Sequence, residues 1–478
     1  MLPDAYAHYR RPIVGALTVF LDGLPEAHQI DVLEAQATLA PTATVSERLA
    51  RLARTCPVLH KLGQTLARDR RIRPELRLQL QKLESLPPTI PLKSIRRILT
   101  RELGRLDRLG VVLEPPALAE ASVAVVIPFR QHGSAEREGV FKILKPGIEE
   151  RLEQELALTE RVGSYLDEQC EDLGIARLDY REAFEGLADQ LQHEVRLDLE
   201  QSHLAIAGAA YAGDARIHIP ALFDCCTPRV TAMERIYGEK VTDHRFAGAD
   251  EQRQLAELVI RAVMVRPFLS MASDALFHGD PHAGNLLLTR EHRLAILDWS
   301  LATTVSEDKR VAFVQIVIGG LTLDAGRIVD ALLALAGPQG IELAAARPVI
   351  DAALARLRQG QFPGLIWMTE LLDAIAQTAR PRFGSDLVLL RKTLHSLEGV
   401  VADIGADRRC LDSVLLSAFF AHMAIEWPFR WLADPFKRTF ATRLSNADLA
   451  GLLAALPLTA TSYWLGRGAD ARDRTEDS

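Results

Sequence analysis

The stretch Phe277–Ser300, FHGDPHAGNLLLTREHRLAILDWS, decides the fold. Asn285 opens an apolar run, Leu286–Leu288. A polar turn follows over Thr289–Arg293, and a second apolar run, Leu294–Leu297, ends at Asp298. Two short apolar runs about a polar turn predict a β-hairpin, which returns its end to its start. Asn285 and Asp298 then become neighbours, and a side-chain carbonyl beside a carboxylate offers the hard oxygen ligands that Mg²⁺ prefers. Asp280, on the loop leading in, is left to face an acceptor.

The order His278, Asp280, Asn285, Asp298 matches the H-x-D-x-x-x-x-N loop and following D-F-G of kinases. There the first Asp orients the acceptor, and the Asn and second Asp hold the metal ions. Two other readings stand beside this one. His278, Asp280 and His282 could form an imidazole–carboxylate metal triad, although they lie in a Gly/Pro loop and not at i, i+4 on a helix. A polar loop without chemistry requires three separate spacings to agree by accident.

A kinase-type site also needs a cation on a strand, held by a helix carboxylate. Lys142 lies in VFKIL (Val140–Leu144) with apolar neighbours, where an unpaired ammonium is costly, so a phosphate or carboxylate partner is expected. A solvent-facing lysine on an alternating strand is the bland alternative. Glu194 and Glu200, on the run QLQHEVRLDLEQSHL, are both candidates to reach it. The segment before the first strand, PPALAEASVAVV, places Ala119, Ala121 and Ser122 where a protein kinase carries a glycine-rich loop. Those three residues, Lys142, Glu200 and Met233, at the end of a later strand, are the candidate nucleotide contacts. The missing glycines argue against an ordinary protein kinase.

Outward from these segments the pattern is mostly helical. Residues 1–110 carry apolar residues at helical spacing, such as Val45, Leu49 and Leu52, with a proline turn at Ser85–Pro91 before a helix from Leu92 to Gly104. Val123–Phe129 and Val140–Leu144 predict a hairpin about a loop at Gln131–Gly139. A helical stretch runs from Ile148 to about Gly208, short strands follow near Ile217–Pro220 and Arg229–Met233, and a helix spans Glu251–Leu276. Helices continue beyond Ser306, with no internal repeat. The sum is an α+β chain with a small sheet in its middle. Its expected divisions are a helical N-terminal extension (1–110), a sheet-bearing lobe (111–235), a catalytic core (236–330) and a helical C-terminal region (331–478).

Composition adds limits. The 478 residues are 48% hydrophobic and 25% charged, with a net charge of −7 that points to no nucleic-acid partner. Five cysteines without C-x-x-C spacing suggest neither a disulfide framework nor a zinc site, and a reducing, cytoplasmic compartment fits them. The N-terminal apolar patch reads as a helix and not a signal. Leu449–Gly466 is apolar but broken by Pro457, which favours a buried helix pair and leaves peripheral contact with the inner membrane open.

From about Leu59 to Val305 the chain resembles the UbiB-like (AarF-domain) atypical kinases, a family tied to coenzyme Q and other isoprenoid-lipid metabolism. Lys61-Leu62-Gly63-Gln64 is similar to its K-x-G-Q signature, followed by Pro74-Glu75-Leu76 and the proline turn. Ala119-Glu120-Ala121-Ser122 resembles its alanine-rich nucleotide loop, with Glu120 in place of an alanine. Lys142 with Lys145-Pro146-Gly147 resembles its strand lysine and R/K-P-G, and HGDPHAGN its catalytic loop. The E-x-D-Y-x-x-E element falls on Glu194–Glu200, keeping Glu194 and Glu200 but placing Arg196 at the middle aspartate, which weakens the expected pairing of Lys61 with this element. Trp299 and Ser300 replace the F-G after Asp298, and serine lacks glycine's backbone freedom, so a large flip of this loop is not expected.

The resemblance implies a bilobal protein-kinase-like fold with a small antiparallel sheet, ATP and Mg²⁺ as cofactors, and Asn285 and Asp298 as metal ligands. Asp280 and Lys142 are the implied catalytic residues. It also implies that the helix of Lys61 and Gln64 closes the peptide path, so that the chain is an ATPase or kinase whose partners are an isoprenoid lipid or lipid-biosynthesis enzymes. The basic face around that helix (Arg51, Arg54, Lys61, Arg68, Arg70, Arg71) suits anionic headgroups. Two other functions remain open: a small-molecule phosphotransferase of the aminoglycoside or choline kinase type, and a nucleotide-binding pseudokinase scaffold. The KLGQ signature separates the first reading from the small-molecule kinases, in which it has no role.

Overall fold

Apolar stripes at three- and four-residue spacing make most of the described residues helical, and the strands among them lie between Val111 and Ser306. The computed structural model describes residues 9–68, 80, 88–133, 136–177, 179–337, 340–379, 384–407 and 409–455. Pro74-Glu75-Leu76, Arg70, Arg71, Ser85–Pro87 of the proline turn and the segment from Leu456 to Gly466 lie outside the described residues. The helices used below are α1 (Arg10–Gly23), α2 (Glu26–Ala37), α3 (Val45–Thr55), α4 (Pro57–Arg68), α5 (Leu92–Leu103), α6 (Ile148–Glu168), α7 (Tyr180–Glu194), α8 (Leu197–Tyr211) and α9 (Ala249–Ile260). They continue with α10 (Glu307–Thr322), α11 (Ala325–Ala336), α12 (Leu343–Arg358), α13 (Leu365–Thr378), α14 (Ser385–Ile404) and α15 (Arg409–Arg430). The strands are β1 (Val111–Leu113), β2 (Ala119–Glu120), β3 (Ala124–Gln131), β4 (Arg137–Leu144), β5 (Ile217–His218), β6 (Val230–Glu234), β7 (Gly238–Lys240), β8 (Asp274–His278), β9 (Leu286–Thr289), β10 (Leu294–Ile296) and β11 (Ala302–Ser306).

The chain divides into two units, Met1–Ala205 with Pro220–Ile236, and Ile206–Ile219 with Tyr237–Ser478. The first unit holds an antiparallel sheet ordered β1-β3-β4-β6, with β2 added beside β3. One face of this sheet buries Ile127, Phe129, Phe141 and Ile143 with Ile95 and Leu99 of α5, and the two phenyl rings stack with centroids 4.1 Å apart. Each such side chain contributes roughly 1.5–3 kcal/mol of burial. β3 and β4 extend further into the expected loop than their apolar runs, because Arg130 lies opposite Glu138 and pairs with it at 3.4 Å.

A second core packs α1, α4, α6 and α7 together. Within it the wholly buried Glu155 of α6 accepts the Val58 backbone N–H at 2.9 Å, giving one of the first N–H groups of α4 a partner. Burial pushes that carboxyl up to about 8. His28 lies 3.5 Å from it, and Cys56 is buried beside both.

The second unit holds a sheet ordered β5-β10-β9-β7 and an antiparallel β8–β11 pair, surrounded by α9 and by α10 to α15. The helix expected over Glu251–Leu276 is shorter than the sequence pattern suggested. α9 gives way to a π-turn at Arg261–Val265 and a last turn ending at Phe268, and Ala275–Phe277 form β8 against Val305–Thr303. A continuous apolar run bounded by turns reads alike as helix or strand, and pairing with β11 decides it here.

Candidate functional site

The hairpin predicted for Leu286–Leu297 is present. β9 and β10 pair antiparallel with Leu286 opposite Ile296, and the Leu297 N–H donates to the Asn285 carbonyl at 2.8 Å. The pairing brings the backbones of Asn285 and Asp298 side by side. Asn285 is buried, and its side-chain N–H donates to the Asp280 carbonyl at 3.1 Å, which leaves its Oδ1 as the oxygen for a cation. Asp298 has a φ of 55°, in the left-handed region that Asp and Asn tolerate better than other side chains. Its Oδ1 accepts the Ser300 hydroxyl at 2.6 Å and the Ser300 N–H at 3.3 Å. Serine therefore braces the aspartate at the position where the related pattern has glycine.

His278 ties the loop together. Its Nε2–H donates to the Leu297 carbonyl at 2.9 Å, its Nδ1 accepts the Asp280 N–H at 3.3 Å, and its ring meets Trp299 edge-on. Burial lowers its pKa, which keeps the imidazole neutral and suits one donating and one accepting nitrogen. With both nitrogens engaged by backbone, His278 does not form a triad with Asp280 and His282. The Nδ1 of His282 accepts the Gly284 N–H at 3.0 Å. Among the described residues, the His/Cys/Asp/Glu group close enough to share an ion is His28, Cys56 and Glu155, away from this loop in the sequence.

Asp280 is 5% exposed, and Lys392 of α14 lies 3.4 Å from its Oδ2. The next residue, Thr393, donates from its hydroxyl to the His278 carbonyl at 2.9 Å. Gly279 explains the close approach of this loop to its neighbours, since a Cβ there would sit 1.8 Å from the Leu301 carbonyl oxygen. Lys392 was not among the residues singled out by sequence. No local pattern marks a lysine 112 positions away as the partner of Asp280.

In the first unit Lys142 on β4 pairs with Glu200 of α8 at 2.8 Å, both largely buried, so of the two candidate glutamates Glu200 is the one that reaches it. Glu194 instead pairs with Lys61 of α4 and accepts the Ser122 hydroxyl at 2.7 Å. The Arg196 substitution therefore does not remove the pairing of Lys61 with this acidic element, because the guanidinium turns to Asp198 at 2.7 Å. Gln64, one turn beyond His60, makes a 3.3 Å contact with its ring. Ala119 lies on β2, and the Ala121 N–H donates to the Ala124 carbonyl at 2.8 Å, closing a tight turn in place of a glycine-rich loop. Glu120, the departure from the alanine-rich pattern, pairs with Lys145 at 3.0 Å and accepts the Thr89 N–H at 2.6 Å. Met233, on β6, is half-buried opposite Val140.

The donor set of the second unit, the Asp298 carboxylate and the Asn285 amide oxygen, suits a hard divalent cation such as Mg²⁺. That of the first unit, a buried lysine held by a carboxylate, fits nucleotide phosphates.

The chain is 31% identical over 258 residues to an uncharacterized chloroplastic aarF domain-containing protein kinase of Arabidopsis thaliana, a match covering 52% of this chain and 46% of that one. It is 30% identical over 244 residues to a probable protein kinase UbiB of Actinobacillus pleuropneumoniae, covering 49% of this chain and 44% of the relative. A probable protein kinase UbiB of Azotobacter vinelandii is 27% identical over 372 residues, covering 72% and 65%. Against the first two the chain spans about half the length of the curated relatives it matches. In fold it is similar to Rv3197 of Mycobacterium tuberculosis, solved as an erythromycin complex, with a TM-score of 0.50 and 17% identity over 84% of this chain and 91% of that one. Residues 82–332, more than half of the chain, match the ABC1 atypical kinase-like domain, a range that takes in Lys142, Glu200, Asp280, Asn285 and Asp298 but not Lys61 or Gln64. The chain therefore belongs to the ABC1 atypical kinase-like family.

Proposed function

We propose that this protein is a Mg-ATP-dependent atypical kinase or ATPase that acts in isoprenoid-quinone (coenzyme Q) or related lipid metabolism. The family implies ATP binding. The observation that supports the rest is the β9–β10 hairpin, which brings the backbones of Asn285 and Asp298 side by side, while the Asn285 side-chain N–H donates to the Asp280 carbonyl. In this reading Asn285 and Asp298 hold Mg²⁺, Lys142 takes phosphate oxygens while Glu200 positions it, and Asp280 orients the acceptor or a water. Ala119, Ala121, Ser122 and Met233 lie along the nucleotide. Lys61 and Gln64 belong to a helix that the family resemblance assigns to excluding peptides, and the Lys61–Glu194 pair supports a fixed position for it.

The same reading places the protein in the cytoplasm, peripheral to the inner membrane. α15 is long and apolar enough to cross a membrane by length and composition. Its charged residues in the C-terminal turns, Glu426 and Arg430, are buried and paired with each other at 2.6 Å. Phe420, Ile425, Trp427 and Phe429 are exposed, as are Trp431 and Leu432 just beyond it. An uncharged, tryptophan-bearing exposed face supports contact with the membrane interface.

Two measurements test the proposal. Mg-ATP raises the melting temperature of the wild type, and Asp298→Asn abolishes that shift. ATP hydrolysis rises when vesicles containing isoprenoid phenols are added. Turnover only with a soluble hydroxyl acceptor would instead favour a small-molecule phosphotransferase, and no turnover at all a pseudokinase scaffold.

A further inference from the structure

Helix α4 has a second face, remote in character from Lys61. Leu59, Leu62, Gly63 and Leu66, at helical spacing, line a cavity of about 450 Å³ in the first unit. Across it, Ala16, Leu17 and Phe20 of α1 form a matching stripe, and α3, α6 and α7 complete the walls. The volume lies within the range of sites that take small organic ligands, roughly 300–1,000 Å³. No charged side chain lines it among the described residues. Two of its few polar groups are already engaged: the Thr159 hydroxyl donates to the Leu156 carbonyl at 2.7 Å and the Tyr180 hydroxyl to the Ala176 carbonyl at 3.0 Å.

Such walls reward the removal of hydrocarbon from water and give almost nothing to a polar or charged group, which would lose its hydration on entry. The mouth has the same character. Ile13, Leu49 and Leu66, about two-fifths exposed, are among its lining residues, so the apolar surface continues from the interior to solvent. A water-filled cavity of this kind is unfavourable, and a single hydrocarbon chain entering end-on satisfies both the interior and the rim.

We infer that this cavity is a binding site for one linear hydrocarbon chain, acyl or prenyl, held by α1, α4 and α6. The site is separate from the residues assigned to nucleotide and metal, and the inference stands whether or not the chain turns over ATP. Because α4 carries both Leu62 and Lys61, an occupied cavity also braces the helix whose other face pairs with Glu194.

The test uses the full chain and a long-chain alcohol bearing a diazirine. On irradiation, the expected adducts map to peptides from Arg10–Gly23 and Pro57–Arg68. Displacement by farnesol identifies a prenyl ligand and displacement by oleate an acyl one, and either supports the site. Ala16→Trp and Leu17→Trp fill the space and should weaken binding by about tenfold or more while leaving the Mg-ATP melting shift intact. Saturable labelling confined to helices other than α1, α3, α4, α6 and α7, no saturable labelling, or unchanged affinity in a folded Trp variant overturns the inference.

Discussion

In the first unit Lys142, Lys61 and Lys145 each meet a carboxylate, Glu200, Glu194 and Glu120. In the second, Asp298 is held by a serine, Asn285 by a backbone carbonyl, and Lys392 stands 3.4 Å from Asp280. The first arrangement balances its charge with its own side chains. The second carries carboxylate and amide oxygens on one loop, which the proposed reading gives to a cation. The contrast is that carboxylates of the first region hold lysines in place, whereas those of the second are the ones the proposed reading gives to a cation and an acceptor.

Substitutions that change a carboxylate to its amide test this contrast directly. Asp280→Asn has the largest expected effect, a fall in ATP turnover of about a hundred- to ten-thousand-fold with the Mg-ATP melting shift retained. Normal turnover by that variant would remove Asp280 from the chemistry. Glu200→Gln removes a carboxylate partner of the buried Lys142 ammonium and should cost about 3 kcal/mol in denaturant unfolding. Asp298→Asn, measured without Mg²⁺, should leave stability nearly unchanged, because Asn accepts the Ser300 hydroxyl and tolerates the same backbone. Equal losses for the two variants would erase the contrast.

Gly279→Ala should destabilise by about 2 kcal/mol and weaken the Mg-ATP melting shift, since the new methyl meets the Leu301 carbonyl and must push the loop aside. The smallest effect concerns pH. Burial raises the Glu155 pKa from 4.5 to about 8, so between those values the folded chain holds a proton that the unfolded chain has released. Its contribution to stability is therefore full below pH 4.5 and falls as pH rises toward 8. His28 beside it has a pKa lowered by burial and works in the other direction, so the comparison is made between wild type and Glu155→Gln at each pH. The melting temperature of the variant should gain on the wild type from about pH 5 to about pH 8. A constant difference would show that Glu155 is ionised throughout.

Much of the second-unit site was legible because its geometry is local. Two apolar runs about a polar turn fix the hairpin, and the hairpin fixes the Asn285–Asp298 neighbourhood. The Lys142 partner was legible only as a choice between Glu194 and Glu200, because the two lie on different helices whose packing the sequence does not display. Lys392 was not legible at all, since its relation to Asp280 depends on how α14 docks on the loop. The effect of Arg196 was misjudged for a similar reason: a local partner, Asp198, takes up its charge two residues away. The end of the helix after Glu251 was missed because an apolar stretch without clear periodicity becomes a strand only when β11 is there to pair with it.

The left-handed backbone at Asp298 narrows what can ever stand there. Glutamate keeps the negative charge but reaches a carbon further and gains nothing from that conformation. Asparagine accepts the conformation but lacks the charge, and glycine has neither oxygen nor brace for Ser300. In the proposed reading, aspartate alone meets the demands of backbone and ion together. Drift at position 298 is then limited by backbone and by charge, and a chain freed of the charge requirement could move to asparagine but to little else.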